Sequence, residues 1–220
     1  RPGDTGVGFT LETLLGIKAN SSKAPDYKGI EIKAGRNRSH QSSRTTILSQ
    51  VPDWSISRLK SSRELLMERG KFSDIKKRRQ LFHEMVATKI NSFGLTLRVN
   101  EPQDILNQLY ISNSVETTDV TWTFKKLGQR LLEKHGQTYW VKAQTRGQGS
   151  EEKFHYVSAR YTSGVNPSKF PLLIETGIIS LDYTIRETKS GGAKDQGYLF
   201  KIRQGDLPLL FRTPQEHIIG

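Results

Sequence analysis

The sequence predicts an α/β fold of the α+β type, in which helices surround a mixed sheet and a second lobe is rich in strands. Residues 57–70 and 124–136 carry leucines at helical spacing, and each segment ends at a glycine. From residue 95 onward, most segments alternate in polarity or are rich in β-branched and aromatic residues, which is typical of strands. We therefore expect one domain, 1–220, with a first lobe of about residues 1–95 plus returning elements and a second lobe of about 96–212.

Composition indicates a polyanionic partner. The formal net charge is +12, with 34 basic against 22 acidic side chains, and a chain this basic commonly binds nucleic acid by neutralising phosphates. A basic ribosomal or membrane-surface protein would have a similar charge.

The absence of cysteine excludes a disulfide partner, thiolate zinc sites and cysteine nucleophiles. With no long apolar run and no signal peptide, we expect a cytoplasmic protein without a membrane partner, and a start at Arg1 is consistent with a missing upstream segment or domain.

The segment 5–16 is predicted to be a glycine loop followed by a short amphipathic helix. Leu11, Leu14 and Leu15 would lie on the core side of this helix, while Glu12 could face acidic groups of the next segment. The glycines at 3–8 do not form a nucleotide-binding loop, because the preceding strand and the terminal lysine of that motif are missing.

Two carboxylates and one ammonium group come together in the following segment. If residues 29–34 form a strand, Glu31 and Lys33 point to one face and Ile32 to the other, and Asp26 can reach the same face from a preceding turn. Carboxylates that hold Mg²⁺, beside a lysine that stabilises phosphate charge, suit phosphodiester hydrolysis. The alternative is a solvated strand face, since this spacing arises often by chance in a chain that is 25% charged.

These segments also carry a family resemblance. Residues 3–16 have the sequence GDTGVGFTLETLLG, and residues 25–36 have the sequence PDYKGIEIKAGR. Both resemble the MvaI/BcnI type II restriction endonucleases and, more distantly, the MutH mismatch-repair nickase within the PD-(D/E)xK nuclease superfamily. The resemblance is specific in the first 40 residues and looser over 50–54 and 195–202. It implies that Asp26, Glu31 and Lys33 are the catalytic trio, that Glu12 is an accessory acid, and that Asp26, Glu31 and the Ile32 carbonyl bind the metal.

The resemblance implies a sequence-specific endonuclease that cleaves double-stranded DNA with Mg²⁺. A monomer would cut one strand at a time at a short, nearly palindromic site similar to CCWGG or CCSGG. Mn²⁺ is expected to substitute for Mg²⁺ and Ca²⁺ to support binding only, and a cognate DNA methyltransferase in a prokaryotic host is the expected companion. The alternatives are a MutH-like nickase and a basic DNA-binding module without catalysis. The intact trio argues against the second alternative.

Two further segments are candidates for binding the DNA backbone. Residues 34–46 are rich in arginine and small hydroxyl residues, which is typical of a solvated loop or of a loop that binds phosphates, and we favour the latter. Arg36, Arg38 and Arg44 are its candidate phosphate contacts. Residues 72–82 combine apolar and basic side chains, which indicates an exposed helix face or a basic surface on DNA.

The C-terminal strands are the candidates for base recognition. Segments 178–186 and 198–203 alternate as strands, and the second places Lys201 and Arg203 on one face, next to a predicted Asp195-Gln196 turn. Arginine, carboxylate and amide groups suit the major groove, although a polar hairpin edge would look alike. The resemblance implies that this region contacts bases, supported by Asp182 and Arg186 of the adjacent strand. The family pattern often has histidine where this chain has Gln196, which leaves the target sequence open.

Overall fold

The computed structural model describes residues 5–17, 25–37, 44–212 and 215–219. The helices of this part are α1 (Gly6–Leu14), α2 (Ser62–Arg69), α3 (Phe124–Lys134), α4 (Phe170–Glu175) and α5 (Leu207–Leu210). The strands are β1 (Glu31–Arg36), β2 (Arg44–Ser49), β3 (Lys71–Ser73), β4 (Arg78–Met85), β5 (Leu95–Asn100), β6 (Ile105–Ser112), β7 (Val115–Thr123), β8 (Gln137–Arg146), β9 (Lys153–Ser163), β10 (Ile179–Glu187), β11 (Ala193–Arg203) and β12 (Gln215–Ile218). Parallel and antiparallel pairing both occur, which confirms the predicted α+β fold.

The chain divides into two compact units. Unit 1 consists of residues 1–43, 131–167 and 207–220, and unit 2 of residues 44–130 and 168–206. This division differs from the expected lobes, because residues 44–95 belong to unit 2, whereas residues 131–167 and 207–212 belong to unit 1. The physical reason is the parallel pairing of β1 with β8, which joins segments about a hundred residues apart and leaves no local trace in the sequence.

Unit 1 is built on a sheet with the strand order β1-β8-β9-β12. β8 and β9 form the predicted antiparallel hairpin, with Gln137 opposite Ser163. Beside this sheet, the ring of the buried His135 stacks on Trp140, with centroids 5.7 Å apart, and Phe211 meets both rings edge-on. Trp140 Nε1 donates to Thr162 Oγ1 at 2.8 Å, so the indole has its polar partner inside the core.

Unit 2 contains a five-stranded sheet with the order β2-β11-β10-β4-β3 and a three-stranded sheet with the order β5-β6-β7. Its core is aromatic: Tyr183, Tyr198 and Phe200 are buried on the five-stranded sheet, and Trp122 of β7 packs edge-on against Phe200 with ring centroids 5.9 Å apart. Alternate residues of β10 and β11 are therefore buried, and the residues between them form the opposite face of the sheet.

A buried carboxylate ties β7 to α2 within unit 2. Asp119 is fully buried and accepts hydrogen bonds from Arg69 Nε at 2.6 Å and Gln108 Nε2 at 2.9 Å, and also from Arg58. Burial alone would raise the pKa of Asp119, but these donors outweigh it and hold the pKa below its usual range. The guanidinium of Arg69 also lies over the Tyr110 ring, 3.6 Å from its centroid.

Two predicted helical segments differ in the structure. The helix expected over 57–70 begins only at Ser62, with Ser61 accepting from Glu64 N at 3.2 Å as its N-cap. Residues 54–59 instead form turns and bends that bind β7, with Ser57 Oγ accepting from Thr121 N at 2.9 Å. An exposed helix face over residues 72–82 is wrong, because this segment contains the β3–β4 hairpin. The alternative, a basic surface on DNA, stays a prediction. Within the described ranges, no helix has the length and apolar character needed to span a membrane.

Candidate functional site

A tight turn brings Asp26 to the start of β1. Tyr27 N donates to Ile30 O at 2.9 Å and Ile30 N donates back to Tyr27 O at 2.8 Å, which closes a two-residue turn. The two central residues, Lys28 and Gly29, have φ values of 49° and 83°, as the hairpin turn with two left-handed residues requires. The chain therefore doubles back, and Ile32 N donates to Asp26 Oδ2 at 3.0 Å. This hydrogen bond fixes the Asp26 carboxylate beside the strand that carries the other candidate residues.

Glu31 and Lys33 share one face of β1, as the alternation predicts. Lys33 Nζ lies 2.7 Å from Glu31 Oε1, and the Glu31 side chain is 0% exposed whereas that of Lys33 is 30% exposed. Among the described residues, Glu31 Oε2 is buried without a hydrogen-bond partner. A buried carboxylate with a partner at only one of its oxygens lowers the stability of the folded state, so its presence indicates a function.

A second lysine contacts the same carboxylate, and no local pattern in the sequence predicts this contact. Lys134, the last residue of α3, places Nζ 2.8 Å from Glu31 Oε1, and its side chain is 17% exposed. The next residue, His135, bonds to Thr138 Oγ1 at 2.8 Å, and Thr138 lies opposite Glu31 in the β1–β8 pairing. A lysine in the last helical turn is common because it complements the helix dipole, and only the parallel strand pairing reveals its contact.

Helix α1 differs from its expected form. It begins at Gly6, so its glycines lie inside the helix instead of forming a loop before it. Leu14 and Leu15, expected on the core side, are 72% and 41% exposed. The buried residues are Gly6 and Val7, and the Val7 carbonyl accepts from Tyr156 Oη of β9 at 2.9 Å. The leucine spacing alone therefore identified the wrong face of this helix.

Glu12 of α1 lies within electrostatic range of the trio, in agreement with the expectation that it faces the carboxylates. Burial raises the pKa of Glu12, and the negative charge of Asp26 raises it further; Lys33 acts in the opposite direction, and Glu31 adds a smaller increase. Four ionisable groups from one helix and one strand segment therefore interact at this place in unit 1.

The model of the MvaI/BcnI restriction endonuclease family matches residues 1–211. The chain belongs to this family. Membership makes it a restriction endonuclease, an enzyme that cleaves DNA, and confirms the resemblance found in the sequence.

Solved structures agree with this restriction-endonuclease fold. A structure of the restriction endonuclease MvaI with its cognate DNA substrate matches with a TM-score of 0.83 and 22% identity, covering 100% of this chain and 90% of that one. MvaI in the absence of DNA matches with a TM-score of 0.62 and 20% identity, covering 96% and 84%. No curated protein sequence matches the chain.

The carboxylates of this restriction endonuclease fit a magnesium ion better than a metal that needs a complete protein cage. In the described part of the chain, no three histidine or acidic side chains are grouped so that they could hold a metal by themselves. Mg²⁺ is commonly bound through one or two carboxylates together with water and substrate phosphates. Asp26 and Glu31 supply two carboxylates, and the unpartnered Oε2 of Glu31 is an open ligand position.

The candidate phosphate contacts lie in different surroundings. Arg36 ends β1 and donates from Nε and Nη2 to Glu152 at 2.8 and 2.6 Å. Arg44 begins β2 and is not part of a loop, and its guanidinium bonds to Glu84 and Ser180. Arg38 lies outside the described residues. In both described arginines, a carboxylate therefore already offsets the positive charge that a phosphate would meet.

The candidate base contacts share the outer face of the five-stranded sheet of unit 2. Asp182 and Arg186 alternate with the buried core residues of β10, and Lys201 Nζ contacts Asp182 Oδ2 at 2.6 Å. The strand register places Arg203 opposite Arg44 and Arg186 opposite Gln80. We call this surface the polar face; its residues are Arg44, Arg78, Gln80, Asp182, Thr184, Arg186, Lys201 and Arg203.

Asp195 and Gln196 do not form the predicted turn. They lie within β11, beside a bulge at Gly197, whose φ is 136°. On the N-terminal side of this bulge, the register places Asp195 opposite the buried Ile185, and Ser62 Oγ of α2 donates to Asp195 Oδ2 at 3.2 Å. The expectation of a turn at Asp195-Gln196 was wrong, because these residues continue the strand and the inserted residue turns Asp195 to the other side of the sheet. Base contacts by the two side chains stay a prediction.

Proposed function

We propose that this restriction endonuclease hydrolyses phosphodiester bonds of double-stranded DNA with Mg²⁺, using Asp26, Glu31 and Lys33. The observation that carries the proposal is the buried Glu31 carboxylate, which contacts Lys33 at 2.7 Å and leaves Oε2 without a partner. Asp26 is anchored to the same strand through Ile32 N. Such a carboxylate destabilises the fold unless a cation or substrate completes its surroundings.

Each residue of the site has its own role in the proposed reaction. Asp26 and Glu31, with the Ile32 carbonyl, would hold Mg²⁺, which when bound lowers the pKa of water and polarises the phosphate. Lys33 is partly exposed and offsets the charge that develops on the phosphate in the transition state. Lys134 holds the Glu31 carboxylate from the opposite helix, and Glu12, with its raised pKa, supports the site as an accessory acid.

The substrate is double-stranded DNA with a short, nearly palindromic site. The net charge of +12 supports a polyanionic substrate, and the MvaI structure with a TM-score of 0.83 is a complex with cognate DNA. We propose a CCWGG- or CCSGG-like target, contacts to bases from the polar face, and cleavage of one strand at a time by a monomer. Mn²⁺ substitutes for Mg²⁺, Ca²⁺ supports binding only, and a cognate DNA methyltransferase protects the host.

Digestion of plasmid DNA in Mg²⁺, followed by sequencing of the ends, tests this function. We expect discrete fragments whose ends share one short sequence. The Glu31→Gln variant, prepared in the same way, should leave the plasmid intact and so excludes a contaminating nuclease. Nicked circles alone would favour a MutH-like nickase, and ends without a common sequence would contradict site specificity. An intact plasmid with both Mg²⁺ and Mn²⁺ would overturn the proposal.

A further inference from the structure

Buried polar atoms without partners occur at two places in the described part of the chain. The described residues show five such side-chain atoms, and two of them are the oxygens of Glu31, of which Oε1 still contacts two lysines. The other three are Arg78 Nε, Gln80 Oε1 and Asp182 Oδ1, and all belong to the polar face of unit 2. Proteins rarely leave buried polar groups unpaired unless another molecule supplies the partner. The polar face therefore resembles the active site in this respect.

The strand register places these three groups side by side. Gln80 of β4 is directly opposite Arg186 of β10, and Asp182 lies four residues before Arg186 on the same face. Arg78 follows the same alternation as Gln80. The neighbouring Arg79 belongs to the other face and donates from Nη1 to Gly70 O at 2.5 Å, so it has a structural role. Arg78 and Arg79 thus differ: Arg79 has a backbone partner, whereas Nε of Arg78 has none among the described residues.

The chemistry of the polar face favours base edges over phosphates. A phosphate attracts positive charge, but Gln80 is neutral and adds nothing to that attraction. A glutamine amide offers one acceptor and two donors, the pattern that pairs with the N6 and N7 atoms of adenine in the major groove, and an arginine pairs with O6 and N7 of guanine. Sheet strands are among the elements that enter DNA grooves.

We propose that Gln80 recognises an adenine edge and Arg78 a guanine edge in the major groove, extending the polar face onto β4. The proposal rests on the DNA-cleaving function proposed above and names two specificity residues beyond the β10 and β11 side chains. Both residues lie on β4, in the segment for which the sequence predicts either an exposed helix face or a basic surface on DNA. Asp182, the third residue with an unpartnered atom, lies between them and Lys201.

A random-sequence duplex library tests this proposal in two arms, with bound molecules recovered in Ca²⁺ and cut molecules in Mg²⁺, and both pools sequenced. Gln80→Ala should lose its preference for an A·T pair at one position by about 5- to 150-fold while other positions keep theirs. Arg78→Ala should lose a G·C preference at a different position. Gln80→Glu keeps the side-chain size but only accepts, so it should shift the preference toward cytosine. Lys125→Ala and Gln103→Ala, exposed residues outside the polar face, serve as matched controls and should keep the wild-type profile.

The outcomes separate this inference from the proposed function. If the wild-type chain selects a sequence in the binding arm but does not cut, the cleavage proposal fails while Gln80 and Arg78 are still tested. Unchanged base preferences in all three variants would overturn the inference, as would an equal loss of binding to every sequence, which indicates a phosphate contact. Should Gln80→Ala fail to fold, as seen by circular dichroism, the isosteric Gln80→Glu variant still decides the role of this position.

Discussion

Replacing Glu31 with glutamine should lower the cleavage rate without lowering the stability of the fold. The carboxylate is fully buried and Oε2 has no partner among the described residues, a situation that costs about 1–3 kcal/mol. Its contacts with Lys33 and Lys134 offset part of the desolvation of the charge, but both lysines are partly exposed and regain hydration when the charge is removed. We therefore expect the free energy of unfolding of Glu31→Gln to stay equal or to rise by about 1 kcal/mol.

The measurements for this variant are a thermal unfolding curve without divalent metal and a DNA cleavage rate. A rise of 1 kcal/mol corresponds to about 2–4 °C in Tm for a chain of this size, and cleavage should fall by at least about a hundredfold. Glu152→Gln is the matched control: its carboxylate binds Arg36 at 2.8 and 2.6 Å, so its loss should lower stability by about 1–3 kcal/mol. A loss of more than about 2 kcal/mol in Glu31→Gln would refute this reasoning, because the lysine pairs would then be structural.

Further outcomes are expected. Glu12→Ala should reduce cleavage less than Asp26→Asn does, and equal inactivity of the two variants in a cleavage assay would reverse these roles. Affinity for a DNA duplex should fall steeply from low to physiological salt, whereas a flat titration would indicate a different partner. Arg203→Ala should lose more affinity for the cognate duplex, by about 1–3 kcal/mol, than for a scrambled one, and equal losses in competition binding would place base recognition elsewhere. Asp119→Asn should lower unfolding stability by about 3–5 kcal/mol near pH 7. Because the pKa of folded Asp119 is depressed, the wild-type advantage is present above the usual carboxyl pKa and should shrink as the pH falls below it; a pH-independent difference in chemical denaturation would contradict the Arg69 pairing.

Local patterns predicted the parts of this structure that depend on neighbouring residues. The spacing of Glu31 and Lys33 was sufficient to place them on one strand face, and the leucines of α3 and the β8–β9 hairpin follow from periodicity in the same way. Contacts between distant segments do not follow from the periodicity of the sequence. Lys134 reaches Glu31 only because β8 pairs with β1, and Arg44 reaches Glu84 only across the strands of an assembled sheet.

A one-residue irregularity accounts for the main error at the candidate recognition surface. Strand alternation has a period of two, so a single bulge inverts the faces of all residues beyond it. The bulge beside Gly197 turns Asp195 toward α2, while Lys201 and Arg203, on the near side of the bulge, keep the predicted face. Glycine at this position marked a possible bulge, but the sequence alone does not say whether the backbone adopts one.

Paired measurements of cleavage and binding by Lys33→Ala test the central claim most directly. The substrate is the duplex that the wild-type chain cuts in Mg²⁺, and Lys153→Ala, an exposed lysine of the same unit, is the control. We predict that Lys33→Ala binds this duplex within a fewfold of wild type and cuts it at least about a hundredfold more slowly, because it lacks the ammonium group that stabilises the transition state. The control should bind and cut as the wild type does. Cleavage by Lys33→Ala at a near wild-type rate would contradict the assignment of the active site to β1.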